Sequence, residues 1–215
     1  EQALSQLCQS YWYPLYAYVR RRVEDVHEAQ DLTQAFFAYL LDKNVFAQAN
    51  RQRGRFRSFL LTAFKHFLSK HRDQANAQKR GGGRPVMSLD FAIADTQYLV
   101  EPCTSLTPEQ LYDRQWAITL LEQIMLRLEN EYALRGKSEH FRQLKDFAIG
   151  DHAAITYAEV AARLNTTEAA AKMAAHRLRQ RYRELLREEI AQTVATPEEI
   201  DDELRNLLAV LSLKK

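Results

Sequence analysis

Residues 157–187, YAEVAARLNTTEAAAKMAAHRLRQRYRELLR, carry two apolar rows of helical period with a break between them. Tyr157, Val160, Ala161 and Leu164 form a short first face, while Ala171, Ala175, Leu178, Tyr182 and Leu185 form a second at alternating four and three steps. Two short amphipathic helices follow. Asn165 falls where the tight turn between them needs a left-handed backbone, Thr166 or Thr167 can cap the second helix, and Glu168 lies near its positive end. If Leu178 and its neighbours are buried, then Glu168, Lys172, Met173, His176 and Gln180 point away, toward the place a DNA major groove would occupy. The same helix holds Lys172, His176, Arg177, Arg179, Arg181, Arg183 and Arg187, charge suited to a phosphate-bearing partner. The competing reading is a solvated basic helix in an ordinary bundle.

The rest of the chain is helix-prone as well. With 215 residues, 46% hydrophobic, 27% charged and only six glycines and five prolines, it has material for two small cores and little punctuation for sheets. Its net charge of +2 is too small to argue nucleic-acid binding from the total, so the argument rests on where the charges cluster. No apolar run reaches the ~18 residues of a membrane helix and no signal-peptide pattern opens the chain, so a cytosolic protein without membrane contact is expected. Cys8 and Cys103 lack metal-ligand spacing and read as buried, reduced thiols. The chain starts at Glu1 rather than methionine, which leaves room for a preceding segment.

Three glycines, three prolines and loss of helical period mark 80–108 as a linker of nearly thirty residues. Its apolar members, among them Phe91 and Tyr98, imply that part of it rests on a surface. Before it, a helix from about Leu4 to Val23 spaces Tyr11, Trp12, Leu15, Tyr16 and Val19 for burial, with a break or bend near Pro14. A second helix, about Glu24 to Leu41, has Ala29, Leu32, Phe36, Phe37 and Leu40 among its apolar positions and leaves Glu28, Asp31 and Gln34 free to meet a partner. After a polar loop, 44–54, the stretch to Arg80 interleaves Arg55, Arg57, Lys65, Lys70 and Arg72 with Phe56, Phe59, Phe64 and Phe67. Basic residues attract a phosphate backbone and aromatics stack on unpaired bases. Phenylalanines at helical spacing are more often core, and Phe59, Phe64 and Phe67 are assigned mainly to packing.

Taken in order, AQDLTQAFFAYLL at 29–41, GRFRSFLLTAFKHFLSKHRD at 54–73 and YAEVAARLNTTEAAAKMAAHRLRQRYREL at 157–185 resemble regions 2.1–2.2, 2.3–2.4 and 4 of an ECF (extracytoplasmic function) sigma factor of bacterial RNA polymerase. The resemblance implies an all-α chain of two helical domains: a region 2-like bundle at 1–79, a linker at 80–108, a region 4-like helix-turn-helix domain at 109–195, and an amphipathic C-terminal extension at 196–215. It implies core RNA polymerase and promoter DNA as partners, an anti-sigma protein or another regulator as a further one, a monomer when free, and no cofactor, metal or catalysis. Asp31, Leu32 and Gln34, with Glu28, would grip the polymerase. Asn44, Asn50, Arg51, Arg53, Arg55, Phe56, Arg57, Lys65, His66, Lys70 and Arg72 would serve the minus-ten element, where a base leaves the stack. Thr167, Glu168, Lys172, Met173, His176, Arg177 and Gln180 would read the minus-thirty-five element. The pattern departs from the family in having Asn165 where glycine is usual, and in the alanine-rich start of the reading helix.

The extension has Thr196, Pro197 and Glu199 as start signals and a stripe of Ile200, Leu204, Leu207, Leu208 and Leu211. It either closes the C-terminal core or, through Glu198, Glu199, Asp201, Asp202 and Glu203, covers a basic DNA face. No phosphate loop, metal pattern or nucleophile constellation supports an enzyme. The alternatives are a stand-alone helix-turn-helix regulator, dimeric on operator DNA, and a helical protein adaptor.

Overall fold

The computed structural model describes residues 2–42, 55–77, 91, 98, 105–149 and 155–213. Among the described residues there are eight α-helices and no strand. The chain forms two compact units, the first made of Glu1–Thr119 and Thr193–Lys215, the second of Leu120–Gln192. This division differs from boundaries at 79, 108 and 195. The segment after the linker and the C-terminal helix both join the N-terminal block, through contacts that no local pattern announces.

In the first unit, α1 (Gln2–Arg20) buries Tyr11, Tyr13, Leu15, Tyr16, Ala17, Tyr18 and Val19, so it is covered nearly all round rather than along one stripe. It packs on α2 (Val26–Asp42), and the Phe91 ring of the linker lies 5.8 Å from Trp12 and 5.4 Å from Tyr16. The Arg20 guanidinium sits 5.1 Å over the Tyr98 ring. Of the break or bend expected near Pro14, the break does not occur; one helix runs through it. A proline inside a helix costs about 3 kcal/mol, and burial of the residues on both sides offsets it. Arg20 closes the turn by donating to the Val23 and Glu24 carbonyls, and Asp25 caps α2 by accepting from the Glu28 amide at 2.8 Å.

Helix α3 (Phe56–Ala77) brings Leu60 and Phe64 into this core. Phe36 lies 4.6 Å from Phe64 and 5.4 Å from Phe67, so these phenylalanines are packing residues, as their spacing implies. Helix α4 (Pro108–Leu134) starts with a reciprocal cap: the Gln110 amide donates to Thr107 Oγ1 and the Thr107 amide to Gln110 Oε1, with Pro108 at the first helical position. Its first turns belong to the first unit, where the Tyr112 hydroxyl donates to the Arg57 carbonyl at 3.0 Å.

The second unit contains α4 from Leu120 onward, α5 (Ser138–Leu144), a 3-10 turn (Lys145–Phe147), α6 (Tyr157–Arg163) and α7 (Glu168–Ala191). Gly136 ends α4 at φ +67°, where the Lys137 amide reaches the Tyr132 carbonyl and the Gly136 amide that of Ala133. Ile124, Leu128, Phe141, Leu144, Phe147, Val160, Ala171, Ala175, Leu178, Tyr182 and Leu185 form the core. Helices α5 and α6 and the 3-10 turn all pack on α7.

Candidate nucleic-acid interface

The turn between α6 and α7 is built from its residues outward. Thr156 opens α6 with a full capping box, its hydroxyl accepting from the Glu159 amide while the Glu159 carboxylate accepts from the Thr156 amide. Two bonds close the helix, Thr166 N–H to the Ala161 carbonyl at 2.9 Å and Asn165 N–H to the Ala162 carbonyl at 3.3 Å, with Asn165 at φ +50°. Thr167 then caps α7, accepting from the Ala170 amide at 3.2 Å. The two alanines Ala171 and Ala175 are fully buried, and their small side chains let α6 and α7 approach closely.

This arrangement turns one face of α7 outward. Glu168, Lys172, Met173, His176, Arg177 and Gln180 are all exposed, on the side away from Ala171, Ala175, Leu178, Tyr182 and Leu185. Lys172 donates to Glu168 at 2.7 Å across one helical turn, and this hydrogen bond raises its ammonium pKa above the usual range. Gln180 donates to Glu184 at 3.3 Å. The basic run is not all available, however. Arg179 donates to the Phe147 carbonyl, and Arg181 forms a two-pronged pair with Glu131 at 3.0 and 2.8 Å. These two arginines hold the unit together.

On α2, Glu28 and Asp31 are exposed and Gln34 is half-buried, whereas Leu32 is buried with Ala29, Phe36 and Leu40. Leu32 is therefore core and not a contact residue, as its place in the apolar row dictates. Asn44, Asn50, Arg51 and Arg53 lie outside the described residues, as does the side chain of Arg72. His66 and Lys70 are exposed on α3. Lys65 is paired with Glu109 at 2.7 Å, a hydrogen bond that lowers the Glu109 carboxyl pKa. Phe56 is half-buried, its ring 5.5 Å from Tyr11.

Arg57 departs furthest from expectation. Only 5% exposed, it donates from Nε to Glu203 Oε1 at 2.6 Å and from Nη2 to Glu203 Oε2 at 3.3 Å, while Nη1 is bonded to Asp113. Its guanidinium also stacks 4.8 Å over Trp116. Burial works against its charge, but the hydrogen bond to Glu203 and the fields of Asp113 and Glu203 outweigh it and raise its pKa. Burial raises the Asp113 carboxyl pKa in spite of Arg57. In this conformation Arg57 is a buried ion-pair residue and not a DNA contact. Arg55 pairs with the same Glu203, Nε to Oε2 at 2.8 Å.

A helical bundle with a separate, capped helix-turn-helix unit defines the class of helical DNA-binding proteins. Within that class the assignment is specific: a family model described as ECF sigma factor matches residues 1–188, and the chain belongs to the ECF sigma factor family. It is accordingly an RNA polymerase sigma factor, a non-catalytic factor of transcription initiation. No curated protein and no solved structure matches the chain. Among the described residues no helix is long and apolar enough to cross a membrane.

Proposed function

We infer that this sigma factor engages core polymerase through the exposed acidic-polar face of α2 and reads a minus-thirty-five element with α7. Glu28 and Asp31, with Gln34 beside them, supply carboxylates and an amide to a basic surface of the polymerase. Thr167, Glu168, Lys172, Met173, His176, Arg177 and Gln180 present hydrogen-bonding and apolar groups to base edges and phosphates. The start of α3, with His66 and Lys70 further along, serves the minus-ten strand, where unstacking a base costs a few kcal/mol that phosphate contacts help to offset. The observation that carries the reading is the outward row on α7 after a turn closed by Asn165 at φ +50°.

Purified chain mixed with bacterial core polymerase is expected to form a complex and start promoter-dependent transcripts, and the Asp31→Ala, Gln34→Ala double variant is expected to lose both. A chain that ignores core polymerase yet binds palindromic DNA as a dimer would instead be a stand-alone regulator.

A further inference from the structure

The C-terminal helix α8 (Glu199–Leu211) lies beyond the residues that the family model matches, which end at 188. It sits in the first unit and reaches the start of α3, Glu203 lying 146 positions along the chain from Arg57. The chain leading to it is tied there too, the Phe56 amide donating to the Thr193 carbonyl at 3.0 Å and Val194 being buried. Along α8 itself the fully buried side chains are few. Glu203 and Leu207 are the buried residues of α8, while Leu208 is 62% exposed and Glu198, Asp201 and Asp202 face solvent. The apolar stripe of this helix is thus only partly used, and a single carboxylate makes its charged contacts with Arg55 and Arg57.

We propose that α8 is a displaceable latch, in which Glu203 occupies the position between Arg55 and Arg57 that a nucleic-acid phosphate takes when the latch opens. The inference rests on the reading of α3 as a promoter-facing element. Charge accounting gives it direction. Arg55 and Arg57 face Glu203 and Asp113, a balanced set of two cations and two anions. When Glu203 leaves, Arg57 keeps Asp113 as its partner, but Arg55 loses the carboxylate it is paired with and the surface gains one positive charge. A phosphate chain offers several charges where α8 offers one buried carboxylate, so it competes best once held nearby by other contacts. The latch therefore suppresses DNA binding by the free chain and yields on a promoter.

The test uses the full chain and a fluorescent single-stranded oligonucleotide at low salt, with helicity checked by circular dichroism. Glu203→Gln removes the charge, Leu207→Ala loosens the docking without touching any charge, and Asp202→Asn adds the same net charge from an exposed position. Expected is an affinity gain of about fivefold or more for Glu203→Gln and Leu207→Ala, from contacts with a newly freed cation, and less than about twofold for Asp202→Asn. Adding Arg55→Ala to Leu207→Ala is expected to cancel the gain. A folded Leu207→Ala chain that binds no more tightly than the unaltered one overturns the latch. Core-polymerase binding and initiation, measured on the same preparations, separate the two claims. If they persist while affinities stay level, only the latch falls; if every form lacks them, the sigma reading falls and takes the latch with it.

Discussion

A side chain bearing a Cβ pays to adopt the left-handed region, and Asn165 sits there at φ +50° where the Asn165 and Thr166 amides close α6 on the Ala162 and Ala161 carbonyls. Asparagine tolerates that region better than other residues with a Cβ, so the turn keeps its shape without glycine. Asn165→Ala is expected to lower the stability of the second unit by about 1 kcal/mol and Asn165→Gly to leave it nearly unchanged, as read by thermal melts followed by circular dichroism. Arg57 presents the opposite case, a residue whose role was unreadable from its neighbours. In a run of alternating arginines and phenylalanines it looks like surface charge, yet its charge is tenable in the core only because Glu203, Asp113 and the Trp116 ring surround it. Two of those partners lie 56 and 146 residues away, beyond the reach of any local pattern.

Helix α7 is held to the last turns of α4 by charge as well as by its leucines. Arg127 pairs with Glu188 and Glu189, and Arg181 with Glu131. The hydrogen bond from Arg181 lowers the Glu131 carboxyl pKa below its ordinary 4.5. The unfolded chain therefore takes up this proton more readily than the folded one, so the contribution is present above about pH 4.5 and lost as pH falls through the folded value. Glu131→Gln is expected to cost roughly 0.5–1 kcal/mol at neutral pH and to flatten the acid limb of the melting profile below about pH 4.5. The helices themselves were largely readable in the sequence: the α6–turn–α7 pattern and the amphipathic C-terminal helix follow from local rules, although that helix starts at Glu199 and lacks the side-chain cap expected from Thr196. Where α8 docks was not, because periodicity shows that a stripe wants covering without saying by what. The caps at Asp25, Thr107 and Thr156 were present as plain N-cap residues and could have set the helix starts more closely.

Over the whole chain, thirty basic residues stand against twenty-eight acidic ones, and the binding surface is made by local segregation rather than by excess. Arginines that look alike in the sequence divide into those that hold the fold and those that face solvent. Arg177→Ala, at an exposed position on α7, is therefore expected to weaken promoter binding and reduce the salt dependence of log K by about one, if it meets a phosphate; an unchanged slope would remove it from that role. The two tryptophans of the chain, Trp12 and Trp116, both belong to the first unit. Since the guanidinium of Arg57 lies over the Trp116 indole and is shared between Asp113 and Glu203, the molecule carries an intrinsic chromophore in the field of its own C-terminal helix. In a Trp12→Phe background, the proposed release of the Glu203 carboxylate is expected to shift the emission when promoter DNA is added, a readout in real time without a dye or a label, and unchanged emission on a bound promoter would count against the release.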